Sequence, residues 1–137
     1  MLLLDTCPIV AAANTADPDH VACAQLLAAH AGPFVLTGLV ISEASYLLGK
    51  YLGPSAEAAL LRALATDRFR IEPLTPVDLR RMAELVEHYS ELRLGGTDAS
   101  LIAIAERLEL AEIATIDQRH FSVVRPNHID AFRLIPA

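Results

Sequence analysis

Tryptophan is absent from this chain of 137 residues, and aromatic residues of all kinds reach only 5%. A broad platform for stacking unpaired bases is not available from so few rings. Lysine is nearly absent: Lys50 is the only one, so the other ten basic residues are arginines. Net positive charge is lacking too. The formal charge is −6, which argues against non-specific coating of DNA. Cysteine is scarce, and Cys7 and Cys23 lack the spacing of a metal site. They read as small buried thiols in a reducing compartment, which places the protein in the cytoplasm. No apolar run approaches the roughly 20 residues that cross a bilayer, so no membrane partner is expected. Met1 leads directly into Leu2–Leu4 and Asp5, without a basic n-region or a small-residue cleavage site, so a signal peptide is not expected. Repeats, low-complexity tracts and linkers are also missing. Residues 1–137 read as a single domain.

What is abundant is apolar: 53% of the chain is hydrophobic, enough to fill one core. Leu2–Asp5 is a short apolar run ending in an acid, the pattern of a buried strand. Pro8 suits the first turn of a short helix over Ile9–Ala13. Asp17 or Asp19 then caps a second helix, ended by Ala31-Gly32-Pro33. Phe34–Leu36 is the next strand and Leu39–Leu52 a helix that stops at Gly53-Pro54. Ser55 opens another helix, running to about Thr66. Phe69–Leu74 reads as a third strand. Thr75 caps a helix that continues to about Leu92. After Gly95-Gly96, Thr97 is expected to cap the strongly apolar helix Asp98–Leu108. Glu112–Ile116 is a fourth strand, Asp117–Phe121 a turn or short helix, and Ala131–Ile135 a last strand. Strands alternate with helices, so the fold class is α/β: a three-layer α/β/α sandwich with a central, mainly parallel sheet.

Four acids stand at the ends of these apolar segments: Asp5 in LLLDT, Glu43 in LVISEAS, Asp98 in GGTDASLIAIA and Asp117 in IATIDQRHF. A carboxylate beside such runs is costly to desolvate unless something neutralises it. In an open parallel sheet, ligands collect outside the carboxyl ends of the strands. Asp5 and Asp117 hold that position, while Asp98 and Glu43 lie near helix starts, where negative charge is favoured. Four such groups at one edge repel one another, and a divalent cation relieves the repulsion. Oxygen ligands without paired His or Cys favour Mg²⁺ or Mn²⁺ over zinc. Each acid also has an ordinary use as a cap, a turn former or a solvated helix residue; the combination carries the reading. These same acids account for most of the chain's excess negative charge, so a bound cation reverses the sign locally.

The segments LLLDTCPIVAA, LVISEASYLL, GGTDASLIAIAERL and IATIDQRHFSVVRP occur in the order found in the PIN-domain nucleases. The chain resembles that family over nearly its whole length, and in particular the VapC-type toxins of bacterial toxin–antitoxin pairs. The resemblance implies a Mg²⁺- or Mn²⁺-dependent endoribonuclease with Asp5, Glu43, Asp98 and Asp117 as its acidic set. It implies a homodimer, an RNA substrate, and growth inhibition relieved by a small VapB-like antitoxin encoded beside it. Cys7 departs from the serine of many relatives. Within this reading Asp5, Asp98 and Asp117 contact the metal, and Glu43 positions a water. Thr6 and Thr115 flank the site and hydrogen-bond a carboxylate or a water, although Thr115 suits a core position equally well. Arg119 meets RNA phosphate or pairs with a site carboxylate, with His120 beside it; both also suit surface packing. The Leu/Ala-rich faces around Leu47–Leu64 read as core, with part available to an antitoxin helix in a groove.

Two other strand-and-Asp chemistries fail on single residues. A haloacid-dehalogenase-type phosphatase needs a second Asp two residues after the first, where Cys7 stands. A receiver domain needs a lysine near the last strand, and Lys50 lies mid-helix. A PIN fold that only binds RNA or protein, without turnover, is the alternative from another class; loss of an acid would be its mark, and all four are present.

Overall fold

The computed structural model describes residues 1–136. Five strands form one sheet: β1 (Leu2–Leu4), β2 (Phe34–Leu36), β3 (Phe69–Ile71), β4 (Glu112–Ala114) and β5 (Arg133–Ile135). The spatial order is β3-β2-β1-β4-β5 and every pairing is parallel. Between the strands run α1 (Thr6–Ala13), α2 (His20–Ala29), α3 (Gly38–Leu52), α4 (Pro54–Leu64), α5 (Pro76–His88), α6 (Gly96–Leu108) and α7 (Gln118–Val123). Every residue of β1 and β2 is buried. Successive side chains on a strand point to opposite faces, so both faces of the sheet are covered and the sandwich has three layers. No helix among the described residues is long and apolar enough to cross a membrane.

The sequence builds to one edge. From β1 the chain moves outward through β2 to β3, then returns to lay β4 on the other side of β1. Connections therefore diverge between β1 and β4, and the carboxyl ends of these two strands border the crevice where such sheets bind ligands. Leu4 pairs with Ala114, and the Asp5 N–H donates to the Ala114 carbonyl at 3.0 Å. The ladder thus runs one step beyond the strand and fixes where Asp5 leaves it.

The helix starts follow from their caps. Asp5 accepts the Thr6 N–H and starts α1 three residues earlier than the expected Ile9, with Pro8 spending its missing N–H inside the first turn. Asp19 occupies the cap position of α2 but makes no side-chain bond there. Thr75 and Asp78 close a reciprocal capping box on α5. Thr97 does not cap α6. Gly95 takes the cap position in extended backbone, φ −84° and ψ 171°, so Thr97 falls inside the first turn. α5 stops at His88, short of the expected Leu92, and β3 is a three-residue edge strand. In α6, Ala99 through Ala105 are all buried; a helix apolar all round belongs inside the protein.

Ion pairs join α5 to α6. Arg81 grips Glu106 with two bonds of 2.7 and 3.0 Å. Arg107 reaches Asp78 at 3.2 Å and Glu72 at 2.9 Å, both of them buried acids. Burial pushes the Asp78 carboxyl up, but the Thr75 N–H and Arg107 outweigh it and hold it below the usual range. Burial also pushes Glu106 up, and Arg81 with the Asn127 N–H outweighs it and holds that carboxyl below its usual range. Acids depressed in the folded state stabilise it above their unfolded values, near pH 4, and that stability is lost as pH falls through the folded values. Urea midpoints measured down from pH 7 should therefore fall below about pH 4. Arg107→Leu should lower the midpoint at pH 7, with a loss of unfolding free energy of about 3 kcal/mol or less because Arg107 is one-third exposed. The gap from the parent should narrow in acid; a constant gap would refute the assignment.

Candidate active site

Asp5 is only 4% exposed. Its Oδ1 accepts the Thr6 N–H at 2.8 Å and its Oδ2 accepts the Thr115 hydroxyl at 2.8 Å. Burial pushes the carboxyl up to about 6 against the pull of these two bonds, and the charges of Asp98 and Glu43 add to the rise. The Thr115 hydroxyl also accepts the Asp117 N–H at 3.0 Å. One buried threonine thus ties the acid after β1 to the loop after β4. Thr115 had two readings in sequence, core and site, and its contacts place it at the acids. The Thr6 hydroxyl is buried and finds no partner among the described residues.

Asp98 lies in the first turn of α6 and Asp117 caps α7. His120, on α7, brings its Nδ1 to 2.9 Å from Asp98 and 3.1 Å from Asp117. Burial raises Asp98, the His120 hydrogen bond and charge oppose it, and Asp117 and Glu43 add to the rise. Glu43 is on the second turn of α3, exposed. All four acids line one cleft of about 370 Å³, together with Cys7, Arg93 and Gly95 to Thr97. A second cleft of about 450 Å³ shares Cys7 and Asp117 with it and continues past Asp17, Asp19 and Leu47. The two clefts adjoin at Cys7 and Asp117, with the four clustered acids lining one and Asp17 and Asp19 the other.

Several residues stand differently from expectation. Cys7 is exposed at the rim rather than buried, while Cys23 is buried as expected. The surroundings nonetheless desolvate the Cys7 thiol, and with Asp5, Asp117, Glu43 and Asp98 around it the group is pushed up to about 12. It stays a thiol and is no nucleophile at neutral pH. Arg119 is exposed, 3.4 Å from the His120 Nε2, and pairs with no site carboxylate among the described residues. His120 takes that place. The signal for it was its position three residues after Asp117 on a short helix, where both side chains share a face. Arg93 was missed altogether, because it lies in a turn that carries no pattern.

The donor set fits a divalent cation. Ligand atoms of Asp98, Asp117 and His120 all lie within 4.8 Å of one another. The two His120 distances are those of N–H···O hydrogen bonds, and a cation bound by all three groups would take the place of the imidazole proton. Asp5 is not one of these three but lines the same cleft, and a cation there would offset the rise that burial and its acidic neighbours give its carboxyl.

The fold and this acid-lined groove define a class, and comparison with known proteins agrees with it. The PIN domain family matches residues 2–125, and the chain belongs to that family. Among individual proteins it is 32% identical over 135 residues to Ribonuclease VapC26 of Mycobacterium tuberculosis (strain ATCC 25618 / H37Rv), covering 98% of this chain and 100% of the relative. Solved structures share the fold. The crystal structure of Mycobacterium tuberculosis VapC20, described as a sarcin-ricin loop cleaving toxin, superposes with a TM-score of 0.81 at 19% identity, over 86% of this chain and 91% of that one. A toxin–antitoxin complex from Klebsiella pneumoniae gives 0.68 at 22% identity, over 90% and 92%.

Proposed function

We propose that the chain is a metal-dependent endoribonuclease, the toxin of a type II toxin–antitoxin pair. One observation carries the reading: four carboxylates from four separate segments meet in one cleft, at the point where the sheet's connections diverge. The full-length likeness to a ribonuclease supports the choice of RNA. So does the cleft that adjoins the acid cleft at Cys7 and Asp117, which adds length for more than a single nucleotide. With few aromatic rings to stack bases, RNA is read by shape and backbone.

Asp5, Asp98 and Asp117 would hold the cation, Mg²⁺ or Mn²⁺, and His120 could add a nitrogen donor on giving up its proton. A divalent cation supplies Lewis acidity, acidifying water and offsetting charge on the phosphate oxygens. The chain's own residues do the rest. Glu43, exposed at the rim, accepts a hydrogen bond from the attacking water and directs it. Thr115 fixes the rotamer of Asp5 and aims the Asp117 loop. Thr6 keeps a buried hydroxyl beside Asp5, unpartnered among the described residues, that could hydrogen-bond a small ligand such as water. Arg119, exposed beside His120, meets RNA phosphate outside the acid cluster. Partners are RNA, a second copy of the chain, and a VapB-like antitoxin. The apolar groove of about 390 Å³ between α1, α2, α3 and α4, lined by Ile9, Ala13, Leu27, Leu48, Leu60 and Phe69, supports a helix-in-groove seat for the antitoxin.

The test is cleavage of total RNA with Mg²⁺ or Mn²⁺ and with a chelator. Cleavage that needs the metal supports the proposal; cleavage undiminished by chelator would sink the metal reading. Metal and RNA binding with no product would leave a non-catalytic binding module. A second measurement concerns His120. By calorimetry, His120→Ala should weaken Mn²⁺ binding about 10- to 100-fold. Equal affinity would remove the imidazole from the metal site.

A further inference from the structure

Arg93 is the one guanidinium among the residues that line the acid cleft. It forms no ion pair among the described residues, although four carboxylates share its cleft. Three of the acids are engaged elsewhere: Asp5 by Thr6 and Thr115, Asp98 and Asp117 by His120; the fourth, Glu43, is exposed and forms no ion pair with Arg93. A cation left over in an acidic cleft has an unfilled capacity for an anion. The fork of a guanidinium matches the oxygens of a phosphate, the repeating anion of RNA.

The backbone fixes where this cation stands. After α5 the Arg93 N–H donates to the Ser90 carbonyl at 3.1 Å, and the Leu94 N–H to the Tyr89 carbonyl at 3.4 Å. Arg93 itself is left-handed, φ +58°. That is a Schellman turn, and glycine is the usual residue at its left-handed position. The turn therefore has no need of the arginine side chain; glycine would serve it better. Leu94, 3% exposed, anchors the turn in the core. Next to it, Gly95 and Gly96 have no atom within 4 Å of the place a Cβ would take. Space beside the guanidinium is open to a sugar–phosphate chain.

The geometry points to Arg93 as a catalytic residue that binds the RNA phosphate in the acid cleft. This rests on the ribonuclease reading. Its fork donates to phosphate oxygens beside the four carboxylates, where a bound cation would offset charge on the same group. Charge that builds on those oxygens during cleavage meets a fixed donor, the most effective place for one.

Arg93→Gly tests the side chain without harming the turn. With Mn²⁺ present and total RNA as substrate, single-turnover cleavage should fall about 100-fold, while the melting temperature stays level or rises. Binding of a labelled mixed-sequence single-stranded RNA should lose about 0.7 from its log K against log salt slope, the share of one phosphate contact. Arg93→Lys should restore the slope and only part of the rate, because a point charge replaces the fork. Parental rate and slope in Arg93→Gly would overturn the proposal. So would tighter Mn²⁺ binding at an unchanged rate, which would make the guanidinium a mere counter-charge to the acids. If the parent protein cleaves nothing, the ribonuclease reading fails on its own, and the salt slope still decides whether Arg93 binds phosphate.

Discussion

Asp5→Asn should abolish metal-dependent RNA cleavage without weakening the fold. Loss of partners outside a metal's own ligands already costs about 10- to 100-fold in affinity or activity, so removal of a buried ligand charge should exceed about 100-fold. The fold tolerates the change for a local reason. The amide oxygen still accepts the Thr6 N–H, and the amide NH₂ faces the Thr115 hydroxyl, which can accept it. The lost group is also an unfavourable one. The Asp5 carboxyl is raised by burial to about 6, so its ionised form lowers the stability of the metal-free protein as pH rises from about 4 to about 6. Above that window, metal-free Asp5→Asn should melt no lower than the parent. Mn²⁺ should raise the melting temperature of the parent and hardly that of the variant. A variant that cuts RNA at the parental rate would remove Asp5 from the site.

Phe121→Ala should cost about 3–5 kcal/mol of stability and weaken metal binding as well. Phe121 is fully buried and meets Phe132 edge to face, with ring centroids 6.4 Å apart. It is also the one buried residue of α7, a helix of six residues. So short a helix has no stability of its own and depends on packing. Asp117 and His120 ride on it. Urea unfolding should show the loss of stability, and calorimetry with Mn²⁺ on the folded variant should show the weaker site. Phe121→Leu, which keeps most of the volume, should do less on both counts. Parental metal affinity in folded Phe121→Ala would mean that the Thr115 bond alone holds the Asp117 loop.

Asp5 was legible because an acid directly after a buried apolar run has few explanations. The parallel sheet was legible for the same reason, from short apolar runs alternating with capped helices. The cap on α6 was misread. Thr97 has the right chemistry, but Gly95 adopts the extended cap conformation and starts the helix two residues sooner. His120 could be placed near Asp117 by spacing, yet its contact with Asp98 joins residues 22 apart across two helices. No local pattern encodes that. Arg93 was hidden by convention: its turn position is glycine's, and only the folded cleft shows what the side chain faces. Cys7 was read as buried because free cysteines usually are; its place on the groove rim follows from the tertiary packing of α1.

The hydrogen bond from Thr115 to Asp5 spans 110 residues of chain, and this has a consequence for timing. Asp117 leaves the ribosome 112 residues after Asp5. Until β4 lies beside β1, the acids are scattered and there is nothing to hold a cation or aim a water. A chain clipped before residue 112 lacks Thr115 and Asp117 and should bind no cation in this cleft. The acid cleft is complete only once two segments far apart in the chain have both been made and paired.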